Sequence, residues 1–340
     1  MVLTIRSNGP SLLYLLAAVL LGSGATYALM GAGDRALSIE PAAPEPVRSA
    51  APCNVTVTGI DGFRHIRPLL SSELQCPSTR MEPIRNELGL LVDSLRNAQV
   101  ITSASVHLRD LKRGDWTVLN PDERFDPGSM LKVPLLLCYL SMAEEDPAVL
   151  KRTYTCEPVD AGVPQNTAFP DQQAVPGAVY TVEQLLALSI IYSDNRATAM
   201  LLRHMDPNRY LGLFTDLGLA RPDWKAKQYR MTARDCSVFL TALYHSSLLS
   251  PVRSEKALDL LFRSTFTHGL VAGLPEGIEV AHKFGEAGDP TERQLHETGL
   301  VYMAGHPYII TVMTRGAETK ELAKAIALLS ARAHRNMSSL

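Results

Sequence analysis

Strand-like alternation near both ends of this chain, with helical and loop sequence between, limits its fold more than any other feature. Ser103 to Leu111 alternates, with Ala104, Val106 and Leu108 on one face. Asp115 to Leu119 follows as a short partner strand after the turn Lys112-Arg113-Gly114. From about residue 139 to 264 the pattern is helical and loop-like. Strand character returns at Ile278–Lys283, Leu300–Met303 and Tyr308–Met313, with Gly305-His306-Pro307 turning between the last two. Helical periodicity precedes the first strands, at Met81 to Arg96 with Ile84, Leu88, Leu91 and Leu95, and closes the chain at Glu318 to Arg332. This order points to one sheet built from both ends of the chain around a helical insertion.

The 340 residues have room for one large domain or two smaller ones, and 46% of them are hydrophobic, ample for a core. The formal net charge of −2 and the lack of a basic stripe argue against a nucleic-acid partner. The nine histidines form no His-x-x-x-His pair and the five cysteines no Cys-x-x-Cys, so neither a metal site nor another cofactor is expected.

Residues 11–33 form one apolar stretch preceded by a single Arg6. Its length suits a membrane span better than a short leader, although Ser23-Gly24-Ala25 also fits a cleavage signal. Residues 34–52 are rich in Ala and Pro, as in an extended spacer. The expected organisation is a membrane anchor or signal segment (1–33), a linker with a short segment bracketed by Cys53 and Cys76 (34–79), and the main domain (80–340). The body would then lie outside the cytoplasmic membrane, in a periplasm or at a cell surface. In an oxidising compartment Cys53 and Cys76 fit either a disulfide or two free thiols. Cys138, Cys156 and Cys236 sit in apolar surroundings and read as buried.

Ser129-Met130-Leu131-Lys132 heads an apolar helix. A serine hydroxyl is a poor nucleophile until its proton is removed. A lysine three residues on lies one turn away on the same face. It can take that proton if burial or a neighbouring cation suppresses its charge. The helix N-terminus adds backbone N–H groups that favour developing negative charge. Alone, Ser-x-x-Lys is a weak signal. Here Ser193-Asp194-Asn195 follows 64 residues after Ser129, and Lys283-Phe284-Gly285 comes 90 residues after Ser193.

The three elements, in this order, resemble the Ser-x-x-Lys, Ser-Asp-Asn and Lys-Thr-Gly set of class A β-lactamases and penicillin-binding serine hydrolases, over roughly residues 80–335. The resemblance implies an α+β fold, an αβα sandwich in which an antiparallel sheet is flanked by helices and joined by an all-helical lobe. It implies Ser129 as the acyl-accepting nucleophile and Lys132 as its activator. Ser193 would relay a proton to the leaving amine, and Asn195 would bond the substrate's acylamide side chain. Lys283 would supply positive field beside Ser193 and the substrate carboxylate. Gly285 and Glu286 would continue the substrate-binding edge, with the backbone N–H groups of Ser129 and Glu286 forming an oxyanion hole.

Two departures qualify this. Phe284 stands where the family carries Thr or Ser, so a hydroxyl facing the substrate carboxylate is gone. His282, two positions earlier, is a candidate polar substitute on the same face. Second, no glutamate occurs between Asn195 and Thr232, where class A enzymes carry the residue that activates the deacylating water. Asp223 is the nearest candidate replacement. The expectation is therefore an acyl-serine hydrolase that opens a β-lactam or a related cell-wall amide through an acyl-enzyme on Ser129, with deacylation in doubt. A D,D-peptidase-like enzyme or other amidase or esterase is the alternative within the class. A non-catalytic cell-wall or β-lactam binding protein is the alternative outside it, opposed by the intact Ser129, Lys132, Ser193, Asn195 and Lys283. The expected ligands are a β-lactam or a peptidoglycan-type peptide, with membrane attachment through the N-terminal segment and no nucleic acid.

Overall fold

A computed structural model describes residues 53–59, 69–166, 168–223 and 229–340. The 11–33 segment and the 34–52 spacer lie outside the described residues. Among the described residues no helix is long and apolar enough to cross a membrane.

The chain enters through an antiparallel hairpin of β1 (Val55–Gly59) and β2 (Leu69–Leu74), tied at its open end by a Cys53–Cys76 disulfide. Helix α1 (Glu82–Asn97) follows, then β3 (Ser103–Asp110) and β4 (Trp116–Leu119). A 3-10 turn at Gly128–Leu131 runs directly into α2 (Lys132–Glu145). The insertion carries a small β5–β6 pair (Thr153–Thr155 with Val179–Thr181) and a short α3 (Pro158–Ala161). Its longer helices are α4 (Val182–Ile191), α5 (Asn195–His204), α6 (Pro207–Asp216), α7 (Ala233–Tyr244) and α8 (Pro251–Phe262). The chain returns to the sheet as β7 (Glu279–Gly288), β8 (Arg293–Tyr302) and β9 (Tyr308–Gly316), and ends in α9 (Thr319–Met337).

The main sheet has the order β4-β3-β9-β8-β7, antiparallel throughout, with β7 on one edge. Strand alternation divides the interior in two. On β9, Tyr308, Ile310 and Val312 join a core built on α1 and α9, with Leu88, Val92, Ile326 and Leu329. Ile309 and Met313 face the other core, formed with the helical lobe. Helix α2 is buried without a break from Lys132 to Leu140, as expected of a helix apolar on every side. Each fully buried leucine there contributes about 1.5–3 kcal/mol. The helices start where side-chain caps allow. Thr181 opens α4 and Thr232 opens α7, each through a reciprocal capping box, and Asp206 accepts from Asn208 N and Arg209 N at the start of α6.

The Cys-bracketed segment is part of the folded body rather than of a linker. Trp116 Nε1 donates to Leu74 O at 2.9 Å. The Glu73 carboxylate pairs with both Arg109 of β3 and Arg234 of α7, and the Arg234 guanidinium lies 4.4 Å above the Trp116 ring. The three remaining cysteines are free and buried. Strands β7 and β8 run several residues past their apolar stretches, to Gly288 and back to Arg293.

Candidate active site

Three segments converge at the seam between the sheet and the helical lobe. The first is the turn that carries Ser129. Gly128 N donates to Asp126 Oδ1 at 3.0 Å, and Gly128 adopts φ +52°. A Cβ at Gly128 would lie 2.4 Å from Glu286 O, and one at Gly285 would lie 2.2 Å from Pro127 O. Only glycine allows this approach of the turn to the edge of β7, and the approach sets Ser129 beside the Gly285–Glu286 backbone. Ser129 is half-buried, at the head of the 3-10 turn.

The second segment is the break between α4 and α5. Ser193 has φ +55°, a left-handed conformation that costs a non-glycine residue about 1–2 kcal/mol. The strain is held from several sides. Asp194 N donates to Leu188 O at 3.2 Å. The Asp194 carboxylate caps α5 through Arg196 N and Ala197 N and also accepts from Ala174 N at 2.8 Å. Lys132 Nζ donates to Ser193 O at 2.6 Å. Residues 164–166 brace the same break: Asn195 N donates to Gln165 Oε1 at 3.0 Å and Asn195 Nδ2 to Pro164 O at 2.8 Å. Sequence reading missed this loop. Its Gln165-Asn166-Thr167 run and flanking Pro164 and Pro170 mark a turn-rich segment but carry no sign of its distant partners.

The third segment is β7. Lys283 is fully buried and donates to Ser193 Oγ at 2.8 Å and to Phe284 O at 3.0 Å. Lys132 lies 3.1 Å from the same hydroxyl and donates to Asn195 Oδ1 at 2.7 Å. The structure thus joins Lys132, Ser193, Asn195 and Lys283 in one hydrogen-bonded cluster, one helical turn from Ser129.

Two amines around one oxygen cannot both hold a proton cheaply. At an effective dielectric of about 20 and a separation of about 5 Å, two ammoniums repel by on the order of 3 kcal/mol. Burial pulls Lys132 down to about 7, opposed by the Asp194 carboxylate. Burial, and then the Lys132 charge, hold Lys283 well below the ordinary lysine value, opposed by Glu297. A neutral Lys132 has two donors and one lone pair. It can donate to Ser193 O and Asn195 Oδ1 while accepting a proton from a hydroxyl. That is the electronic state a general base requires.

Phe284 and His282 share the opposite face of β7. The Phe284 ring stacks on Phe266 at 4.1 Å, in the α1/α9 core. His282 is a correction to the sequence reading. It is on the Phe284 face as expected, but it is 2% exposed and its Nδ1 lies 2.6 Å from Glu297 Oε1, so it is engaged inside the protein rather than offered to a ligand. Glu297 also accepts from Leu270 N at 2.7 Å. Glu286 is half-buried, its Oε2 has no hydrogen-bond partner, and desolvation raises its pKa, with Arg293 opposing. Asp223 is exposed, and Asp206 is occupied in capping α6. Among the described residues no group of three or more His, Cys, Asp or Glu is placed to hold a metal ion.

A family model described as the β-lactamase enzyme family matches residues 90–337. The chain belongs to that family. Among solved structures, PBP-A is 22% identical with a TM-score of 0.65, covering 78% of this chain and 99% of its own. A class A β-lactamase from Mycobacterium abscessus is 22% identical, TM-score 0.64, covering 75% and 99%. A β-lactamase from Xanthomonas campestris pv. campestris is 19% identical, TM-score 0.63, covering 75% and 98%. No curated protein sequence matches. The fold is that of the class A β-lactamases, and the chain is a serine hydrolase of β-lactamase type.

Proposed function

We propose that this β-lactamase-family protein opens a β-lactam or related cell-wall amide by acylating Ser129 and then releases the acyl group slowly. The observation that carries the reading is the Ser193 hydroxyl held between Lys132 and Lys283. In the step proposed, Ser129 Oγ bonds the carbonyl carbon and passes its proton to neutral Lys132. The carbonyl oxygen's charge is received at the Ser129 and Glu286 backbone N–H groups. The C–N bond breaks as the leaving nitrogen takes the Ser193 proton, which Lys132 replaces. Asn195 and Lys283 hold the substrate's amide and anionic groups, beside the Gly285 backbone.

Slow release follows from the missing base. A positioned general base contributes about a hundred- to ten-thousandfold, and no glutamate lies between Asn195 and Thr232. A variant of PBP-A has been solved as an acyl-enzyme complex with penicillin G, which is consistent with accumulation in a related fold. A D,D-peptidase-like or other amidase or esterase activity is the second reading, favoured by the absence of a glutamate between Asn195 and Thr232. The test is mass spectrometry of protein mixed with penicillin over time, with stopped-flow hydrolysis of a chromogenic cephalosporin. An adduct on Ser129 and an early burst before a low steady rate are expected. Turnover above about 100 per second without a burst overturns slow release.

The reading includes export, with residues 11–33 as anchor or signal segment. The Cys53–Cys76 disulfide supports an oxidising compartment. Full-length protein should sediment with membranes. Mature protein beginning shortly after Ala25 would instead identify a cleaved leader.

A further inference from the structure

A cavity of about 440 Å³ opens beside Tyr192 and Phe284, outside the hydrogen-bonded cluster. Tyr192 and Phe284 line its inner end, and they are the chain neighbours of Ser193 and Lys283. Five of its twelve lining residues carry aromatic rings. Phe284 stacks on Phe266, Phe169 meets Phe266 edge-on at 4.9 Å, and Phe169 stacks on His268 at 5.0 Å. Such faces and edges accept another ring in offset or T-shaped contact. The volume is within the usual range for a small-molecule pocket, about 300–1,000 Å³.

The position of the cavity assigns it to one side of the reaction. Lys283 Nζ lies 2.8 Å from Ser193 Oγ and 4.2 Å from the centre of the Phe284 ring. Neither Ser193 nor Lys283 lines the cavity, but its Phe284 wall adjoins the Lys283 amine that bonds the Ser193 hydroxyl, the one that faces the leaving nitrogen in the proposed reaction. The charges at its mouth also differ in availability. Asp171 accepts from the Thr265 hydroxyl, and Lys324 donates to Glu321 at 2.7 Å. Lys320 is exposed and has no acidic partner within ion-pair distance among the described residues. At the mouth, Lys320 offers an anion a cation with no acidic partner of its own among the described residues.

We infer that this cavity is a leaving-group pocket that takes an aromatic group ending in a carboxylate, the ring against Phe169, Phe266 and Phe284 and the carboxylate toward Lys320. The inference rests on the acyl-enzyme reading for its direction, since Ser193 must face the departing amine. Substrates of this kind carry their acid several bonds farther from the scissile amide than a penicillin does.

Three probes separate the contributions: 4-phenylbutyrate, butyrate without the ring, and 4-phenylbutanol without the charge. Each is titrated by NMR into the full chain carrying Ser129→Ala. Phenylbutyrate should bind at least tenfold more tightly than butyrate. Adding Phe169→Ala should remove most of that difference. Adding Lys320→Ala, a surface change that leaves the fold intact, should weaken phenylbutyrate severalfold and leave the alcohol unchanged. Equal binding of the two acids, or indifference to Lys320→Ala, overturns the assignment even if Phe169→Ala fails to fold. In the wild-type protein, phenylbutyrate should also slow penicillin labelling of Ser129. Labelling that proceeds undisturbed refutes the pocket alone. No labelling in the untreated protein refutes the acyl-enzyme reading itself.

Discussion

Lys283 Nζ and Ser193 Oγ lie 2.8 Å apart across 90 residues of sequence. One comes from the edge of the sheet and the other from a left-handed break in the helical lobe. Their contact requires both lobes to be in register, so chemistry at Ser193 reports on the whole assembly.

Acylation should depend on two residues of one turn. Ser129→Ala should show no covalent labelling by a fluorescent penicillin. Lys132→Ala should slow labelling about a thousandfold or more, because it removes the amine one turn from Ser129 that is proposed to take its proton. Labelling of Ser129→Ala at the wild-type rate would sink the nucleophile assignment.

The labelling rate should rise with pH through about 7 and then level off. Lys132 titrates near that value, and only its neutral form accepts a proton. Lys132→Arg keeps the charge and one donor geometry but cannot deprotonate, so it should not restore the rate. A flat stopped-flow profile between pH 5 and 9 would contradict this.

Stability should carry the same signature. The folded pKa of Lys132 is lowered, so between about 7 and its ordinary value of 10.5 the unfolded chain binds more protons than the folded one. Wild-type stability should therefore climb with pH across that window. Lys132→Met removes the buried cation. The variant's advantage over wild type should be largest below pH 7 and should shrink as pH rises toward 10.5. Urea melts of the two proteins at pH 6 and pH 9 measure it, and an advantage that grows with pH would reverse the argument.

Glycine substitutions test the close approach of the Ser129 turn to β7. At Gly285 an added Cβ would meet Pro127 O at 2.2 Å, whereas Gly212 in α6 has nothing within 4 Å. Gly285→Ala should cut labelling at least tenfold and cost about 1–3 kcal/mol by overpacking. Gly212→Ala should leave labelling unchanged and stabilise by up to about 1 kcal/mol through helix propensity. Denaturant melts and labelling rates on both variants are the check.

The three motifs led to the hydrogen-bonded cluster of Lys132, Ser193, Asn195 and Lys283 because each motif is short and its own side chains form the contacts. What escaped was structure made by long-range contacts. Strand β8 reads as a strand from the sequence only near Leu300, because Gln294, His296 and Glu297 look like surface residues. In the fold they are buried: Gln294 accepts from Asp126 N, His296 from Thr314 N, and Glu297 from Leu270 N while meeting His282. The hairpin of β1 and β2 was hidden for the opposite reason. Its Val55 and Val57 are exposed, so no buried face marks it. The direction of Phe284 was open until Phe266, from a different loop, supplied the surface it stacks on.

The two arginines on Glu73 bear on where this enzyme begins. Arg109 is nearly buried, with 9% of its side chain exposed, and its acidic partner comes from the hairpin ahead of α1. A version trimmed to the stretch that resembles its relatives, starting near residue 80 or 90, would discard that carboxylate. Arg109 and Arg234 would then lose the carboxylate they share, and the end of β3 that the hairpin covers would open to water. A shortened protein that misfolds would therefore say nothing about Ser129.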